Sequence, residues 1–265
     1  MIVAITGASA GIGRELAQQL DARGARLALC ARRLDRLEEL NRSMGSRHFL
    51  MRADVASPTD CGMFVLQTLE HFGRIDTLIA NAGYGQYKLT HEMSGDDVRK
   101  MFATNVFGTT DLIHAAVPHM LRQELRDGVR GQVMIVSSAA ARRGVPYLGP
   151  YAATKAAQLS IAEAMRVELN SRGIAVTSVH PVMTKTEFGD VAETAGDVKL
   201  PRMAGPRQTV EHVARKMVRA IENPKREVWP HQLTRVQLAF AALFPSVADF
   251  VMERYRRTVD RANRT

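Results

Sequence analysis

Tyr151 and Lys155 lie four residues apart in the stretch Gly-Pro-Tyr-Ala-Ala-Thr-Lys-Ala-Ala, just after a proline and at the start of an apolar-periodic run. On a helix, residues at i and i+4 stack on one face, so this spacing sets an ammonium beside a phenol. A nearby positive charge favours the phenolate and lowers the tyrosine pKa from its usual value of about 10. Bringing it to about 7 takes about 4 kcal/mol of differential stabilisation. A phenol tuned in this way can exchange a proton with an alcohol or carbonyl oxygen. The spacing alone reads equally well as an ordinary helix start, so its surroundings must decide.

Those surroundings alternate short apolar runs with helical patterns. Strands are expected over residues 2–6, 26–31, 48–52, 77–81, 132–137, 175–180 and 227–229. Helices are expected over 12–23, 34–44, 60–72, 96–122, 151–170 and 209–221. Val-, Ile- and Leu-rich strands separated by helices predict a parallel sheet covered on both faces, here an α/β doubly wound Rossmann-type fold of about seven strands. Ligands bind beyond the carboxyl ends of such strands. Gly7, Arg32, Asp54, Asn81, Ser138 and Pro181 all fall at those ends. Residues 184–207 have weak periodicity and read as a long connection that could cover a site. Residues 1–230 are expected to form a single dinucleotide-binding and catalytic domain, and 231–265 a C-terminal helical extension.

Residues 6–13, Thr-Gly-Ala-Ser-Ala-Gly-Ile-Gly, follow a strand and open a helix. Glycines there permit a tight turn and let the backbone approach a pyrophosphate at the helix N-terminus. The expected contacts are Gly7, Ser9, Gly11, Ile12 and Gly13. A NAD-preferring site usually carries an acidic residue at the end of strand two, whereas this chain has Cys30-Ala31-Arg32-Arg33. Two guanidiniums suit a 2′-phosphate, so Arg32 and Arg33 indicate NADP(H). Asp35 reads as a helix-start residue.

With these motifs on one chain, residues 1 to about 230 resemble the short-chain dehydrogenases/reductases. Thr6-Gly-x3-Gly-x-Gly13 is similar to the family's cofactor turn. Asp54-Val55 stands where the family contacts adenine, and Asn81-Ala82-Gly83 resembles its Asn-Ala-Gly motif against the cofactor. Asn105, Ser138 and Tyr151-x3-Lys155 match its catalytic set. The resemblance implies that Tyr151 donates or accepts the substrate proton and Ser138 polarises the substrate oxygen. Lys155 lowers the Tyr151 pKa and binds the nicotinamide ribose, and Asn105 links Lys155 to water. Pro181 and Thr186 are placed at the cofactor's carboxamide end. The chain departs from the family's Pro-Gly after strand six with Pro181-Val182, which adds bulk beside the nicotinamide. The family also implies a homodimer or homotetramer, paired through the long helices that start near Asp96 and Tyr151.

The reaction expected is NADP(H)-dependent interconversion of a carbonyl and an alcohol. The rival reading is a non-catalytic NADP(H)-binding sensor or scaffold, which would tend to lack one of the four catalytic residues. An epimerase or dehydratase on the same fold typically carries a larger substrate domain. Ala139, Ala140, Val145, Tyr147, Leu148, Val182, Met183 and Phe188 are candidates to line an apolar substrate pocket, and each reads equally well as plain packing. The eight histidines are dispersed without paired ligand spacing, so no metal is expected.

The net charge of +9 is spread through the chain, without a recognisable nucleic-acid module, and reads as a solvated basic surface. Two cysteines, Cys30 and Cys61, make no disulfide framework. With no leader evident, a cytoplasmic enzyme is expected. In the extension, Leu233, Val236, Phe240, Leu243 and Phe244 share a helical face; Pro245 breaks the pattern, and Val247, Phe250 and Val251 resume it. Arg254, Arg256, Arg257, Arg261 and Arg264 follow as a basic tail. Three roles compete for this segment: contact with a partner subunit, folding back over its own substrate cleft, or peripheral contact with an anionic membrane.

Overall fold

The computed structural model describes residues 1–126, 128–184, 187–189, 192, 198 and 208–263. Seven parallel strands line up in the order β3-β2-β1-β4-β5-β6-β7. They are β1 (Ile2–Thr6), β2 (Arg26–Ala31), β3 (Phe49–Arg52), β4 (Thr77–Ala80), β5 (Gly131–Val136), β6 (Ile174–Val179) and β7 (Glu227–Val228). Every residue of β1, β4 and β5 is buried, as expected of strands with both faces covered. The order reverses beside β1, where β1 pairs with both β2 and β4, and this is the crevice where doubly wound sheets take their ligands.

The covering helices are α1 (Gly11–Asp21), α2 (Leu34–Ser43), α3 (Pro58–Phe72), α4 (Gly95–Phe102), α5 (Gly108–Met120), α6 (Gly149–Asn170) and α7 (Val210–Glu222). One core cluster buries Leu16 and Leu20 of α1, Leu37 and Leu40 of α2, and Val213 and Met217 of α7. A second cluster takes Phe64 and Val65 of α3, Leu112 and Ala116 of α5, and Ala162 and Met165 of α6. Local chemistry sets several starts. Ser57 accepts from Asp60 N at 3.2 Å, with Pro58 in the first turn of α3. Ser94 and Thr209 cap α4 and α7 in the same way.

Strand and helix positions follow the hydrophobic pattern, with ends displaced by one or two residues. One expected element differs in kind. The helix expected over 96–122 is interrupted at Ala103–Phe107 by a π-type widening between α4 and α5. The apolar period continues through it, so the sequence pattern does not register the extra residue in the turn.

Thr184 pairs with Gln208 and closes the base of the long connection expected over 184–207. Most of that connection lies outside the described residues, Thr186 included. Beyond β7 come α8 (Gln232–Leu243) and α9 (Pro245–Ala262), bent by 117° at Pro245.

Candidate active site

The turn from β1 to α1 forms the floor of the crevice. Gly7 has φ +67°, in the region glycine tolerates best. A Cβ on Gly13 would stand 2.5 Å from Gly7 O and 2.6 Å from Asn81 Nδ2, so only glycine allows that approach. Asn81 in turn donates Nδ2 to Thr6 O at 2.9 Å and to Gly7 O at 3.3 Å, tying the turn to the end of β4. The N-cap of α1 is Ala10, which makes no side-chain cap. Backbone donors and the positive end of the helix dipole therefore converge at the strand ends, a donor set that fits a pyrophosphate.

Arg32 and Arg33 project from the end of β2, and both are exposed. Arg33 Nη2 donates to Ser9 Oγ at 3.3 Å, joining the cationic end of β2 to the glycine turn. Its other terminal nitrogen pairs with Glu187 at 3.0 Å. Glu187 also pairs with Arg36 of α2. No carboxylate among the described residues pairs with Arg32. Asp35 lies in the first turn of α2, as its position in the sequence suggests. Asp54 and Val55 follow β3; the Asp54 side chain accepts from Ala56 N at 3.0 Å, and Val55 packs its carbonyl against Gly108.

The first turns of α6 carry Tyr151 and Lys155. Ser138, just beyond β5, accepts from Ala140 N at 3.1 Å, and its hydroxyl is close enough to Tyr151 to favour the phenolate. Lys155 is 4% exposed and donates to Val136 O at 2.9 Å and to Gln158 Oε1 at 2.8 Å. Gln158 Nε2 donates onward to Asn105 O at 2.6 Å and Thr109 Oγ1 at 2.8 Å. The Asn105 carbonyl, inside the π-type turn, also accepts from Thr109 Oγ1 at 2.8 Å. The Asn105 amide is held by Tyr84 O at 2.9 Å and Thr154 Oγ1 at 3.0 Å, and its Oδ1 accepts from Tyr84 N at 3.0 Å. Thus Asn105, Ser138, Tyr151 and Lys155, distant in sequence, converge at one end of the sheet.

The expected tuning of the phenol is not present in this geometry. Burial pushes Tyr151 up to about 12, against a smaller lowering by Ser138. Burial also brings Lys155 down to about 7. The lysine Nζ lies 5.7 Å from the tyrosine ring centroid, and its hydrogen bonds run to Val136 and Gln158. Desolvation therefore outweighs the charge effect anticipated from i, i+4 spacing.

Three residues escaped the sequence reading. Gln158 is one; its only signal is i+3 spacing from Lys155 on the buried side of α6. His180 is the second. It is buried, stacks on Trp229 with centroids 4.3 Å apart, and sets Nδ1 3.3 Å from Ser138 O and Nε2 3.0 Å from Ser178 Oγ. A carbonyl only accepts, so Nδ1 carries the proton and Nε2 accepts. Burial holds this imidazole down at about 4, hence neutral. The third is Glu187, whose role depends on a contact 154 residues away in sequence.

On the substrate side, the Phe188 ring lies 5.3 Å from that of Tyr151. Val182 is half-buried and Met183 exposed. Tyr147 departs from the apolar lining expected of it: it is buried, and its hydroxyl donates to Asp260 of α9. Arg143 pairs with Asp249 of the same helix. The C-terminal helices therefore fold back onto the loop that follows Ser138.

A parallel sheet whose order reverses at β1, a glycine turn opening α1 and a Ser-Tyr-Lys group at the same edge define a Rossmann-type α/β protein. The chain belongs to the short-chain dehydrogenases: residues 1–195 match the family described as short chain dehydrogenase. It is 38% identical over 192 residues to 11-beta-hydroxysteroid dehydrogenase-like 3 of Arabidopsis thaliana, 71% of this chain and 60% of that protein. It is 39% identical over 206 residues to 11-beta-hydroxysteroid dehydrogenase 1A of the same plant, 75% of this chain and 56% of that protein. The chain thus spans about 60% of the length of these curated relatives. A short chain dehydrogenase/reductase from Burkholderia phymatum, solved with NAD, superposes with a TM-score of 0.82 at 21% identity, covering 93% of this chain and 94% of that one. An alcohol dehydrogenase from Thermococcus sibiricus, solved with 5-hydroxy-NADP, gives a TM-score of 0.73 at 27% identity, covering 86% and 94%.

Proposed function

We propose that this chain is an NADP(H)-dependent oxidoreductase that interconverts a carbonyl and an alcohol, with Tyr151 as general acid/base. The observation that carries the reading is the Tyr151 phenol, set beside Ser138 and on one helix with the buried Lys155 at the sheet edge where the glycine turn opens α1. Gly7, Ser9, Gly11, Ile12 and Gly13 would hold the pyrophosphate, and Arg32 and Arg33 the 2′-phosphate. Asp54 and Val55 would flank the adenine, while Asn81, Ala82, Gly83 and Pro181 would lie along the nicotinamide half. The bound cofactor supplies or accepts the hydride. Ser138 holds the substrate oxygen against the phenol, and Tyr151 gives that oxygen a proton on reduction or removes it on oxidation. Lys155 orients the ribose, and the Gln158–Asn105 chain fixes the ammonium from behind. The phenol must fall well below 12 to serve at neutral pH, which calls for the ammonium to turn from Gln158 towards Tyr151 during turnover.

The cofactor preference rests on two exposed guanidiniums at the end of β2, with no acidic residue at that strand end. Phe188 beside Tyr151 favours an apolar ketone or alcohol. The same proposal includes a homodimer or homotetramer, paired through the long helices that start near Asp96 and Tyr151, where Phe107 and Val167 stand 57% and 80% exposed. It also includes a cytoplasmic location, consistent with two buried, unpaired cysteines.

The test is Tyr151→Phe, assayed by NADPH oxidation against a panel of ketones, aldehydes and steroids, with NADPH binding followed by fluorescence. Turnover should fall by about a thousandfold or more while NADPH binding persists. Retained turnover removes Tyr151 from the chemistry. NADPH binding by the wild-type chain without turnover on any substrate favours the scaffold reading.

A further inference from the structure

Eight of the fifteen large apolar side chains exposed among the described residues crowd into residues 233–251, each 49–75% exposed. They gather at the corner where α8 meets α9, with Leu243 and Phe244 at its apex and Phe240 and Phe244 in ring contact at 4.5 Å. So large an apolar surface marks an interaction site. We infer that this corner docks on an anionic phospholipid bilayer, its apolar residues entering the acyl boundary and the arginines of α9 resting on the head groups.

The outer face of α9 supports this residue by residue. Val247, Phe250 and Val251 recur seven positions on as Arg254, Arg257 and Thr258, and Val247 recurs fourteen on as Arg261; all seven are exposed. Seven residues rise about 10 Å along a helix. An interfacial apolar face sinks about 5–10 Å below the head groups, so the first turns reach the acyl boundary while the arginines stay at head-group level. The carboxylates of α9 are engaged by cations or a hydroxyl: Asp249 by Arg143, Glu253 by Arg256 and Arg257, and Asp260 by Tyr147 and Arg256. Arg254 and Arg261 have no carboxylate partner among the described residues.

Among the described residues no single helix is long and apolar enough to cross a membrane, and the 117° bend suits a corner that lies on one. The Tyr147–Asp260 contact ties α9 to the loop after Ser138, so docking would also hold the substrate side of the site at a fixed distance from the bilayer. The inference does not depend on the reaction proposed above.

The test is co-sedimentation of the full chain with vesicles of phosphatidylcholine alone and of phosphatidylcholine mixed with phosphatidylglycerol. Binding is expected to the mixed vesicles and to weaken as salt rises. Arg254→Gln with Arg261→Gln, which removes two positive charges worth about 1 kcal/mol each, should weaken it by about 30-fold. Leu243→Asp with Phe250→Asp, both at exposed positions, should abolish it while leaving NADPH binding and far-UV circular dichroism unchanged. Failure of the wild-type chain to bind mixed vesicles overturns the inference, as does undiminished binding by either double variant. Lipid-free sedimentation equilibrium supplies the remaining arm: self-association abolished by the Asp variant would assign the corner to a second copy instead.

Discussion

Glu187 Oε2 lies 3.0 Å from Arg33 Nη1, joining the connection after β6 to the cationic end of β2. Arg36 grips the other carboxylate oxygen, and the two guanidiniums hold the Glu187 carboxyl below its usual range. A carboxylate thus sits on one of the groups proposed for the cofactor's 2′-phosphate.

Glu187 should therefore compete with that phosphate. An exposed ion pair is worth about 0.5–1 kcal/mol, so Glu187→Gln should tighten NADPH binding by about two- to fivefold. NADH binding should not change. Isothermal titration with both cofactors checks this, and equal gains for the two would sink it. Arg32→Asp should move preference in the opposite direction, towards NADH.

Lys155 makes stability pH-dependent in a definite direction. Its folded pKa of about 7 lies below the 10.5 of an ordinary lysine. Between these values the unfolded chain binds more protons, so this group's contribution to stability rises with pH and is lost as pH falls from 10.5 towards 7. Cys61, pushed up to about 12 from 9, acts oppositely above pH 9, which leaves the interval from 7 to 9 as the clean window. Urea unfolding across that interval should show a rise in wild-type stability that Lys155→Met flattens. Parallel curves would contradict the buried, partly neutral ammonium.

The His180–Ser138 contact predicts that His180 acts through Ser138 as a positioning residue. His180→Phe keeps an aromatic ring against Trp229 but removes the bond to Ser138 O. The expected result is a kcat lower by about tenfold or more with NADPH affinity unchanged. A loss of cofactor binding equal to the loss of turnover would mark a merely structural role. The imidazole's folded pKa of about 4, below 6.5, also makes stability fall as pH drops from 6.5 to 4. In the variant that acid loss should shrink.

Tyr255 of α9 buries its hydroxyl without a hydrogen-bond partner among the described residues, and burial pushes its pKa up to about 12. An unmade buried hydrogen bond costs about 1–3 kcal/mol, so Tyr255→Phe should raise stability. In a domain of this size a gain of about 1 kcal/mol lifts Tm by about 2–4 °C. Calorimetry that finds a lower Tm would show that the hydroxyl is satisfied in solution.

Much of this protein was legible in its residues. Alternating apolar runs of strand and helix length specify a doubly wound sheet, because that pattern buries both faces of a parallel sheet in only one economical way. The glycines at 7, 11 and 13 and the Tyr151–Lys155 spacing are local signals, read within one turn or one helix. Contacts between distant elements carry no such signal. The π-type turn at Asn105 and its link through Gln158 arise where α5 and α6 meet. The His180–Ser138 bond needs the ends of β5 and β6 side by side. The Glu187–Arg33 pair needs Glu187 brought to the end of β2 from 154 residues away. The pKa values are tertiary as well: spacing set a cation near a phenol, but packing removed water from both, and that desolvation reversed the expected shift of Tyr151.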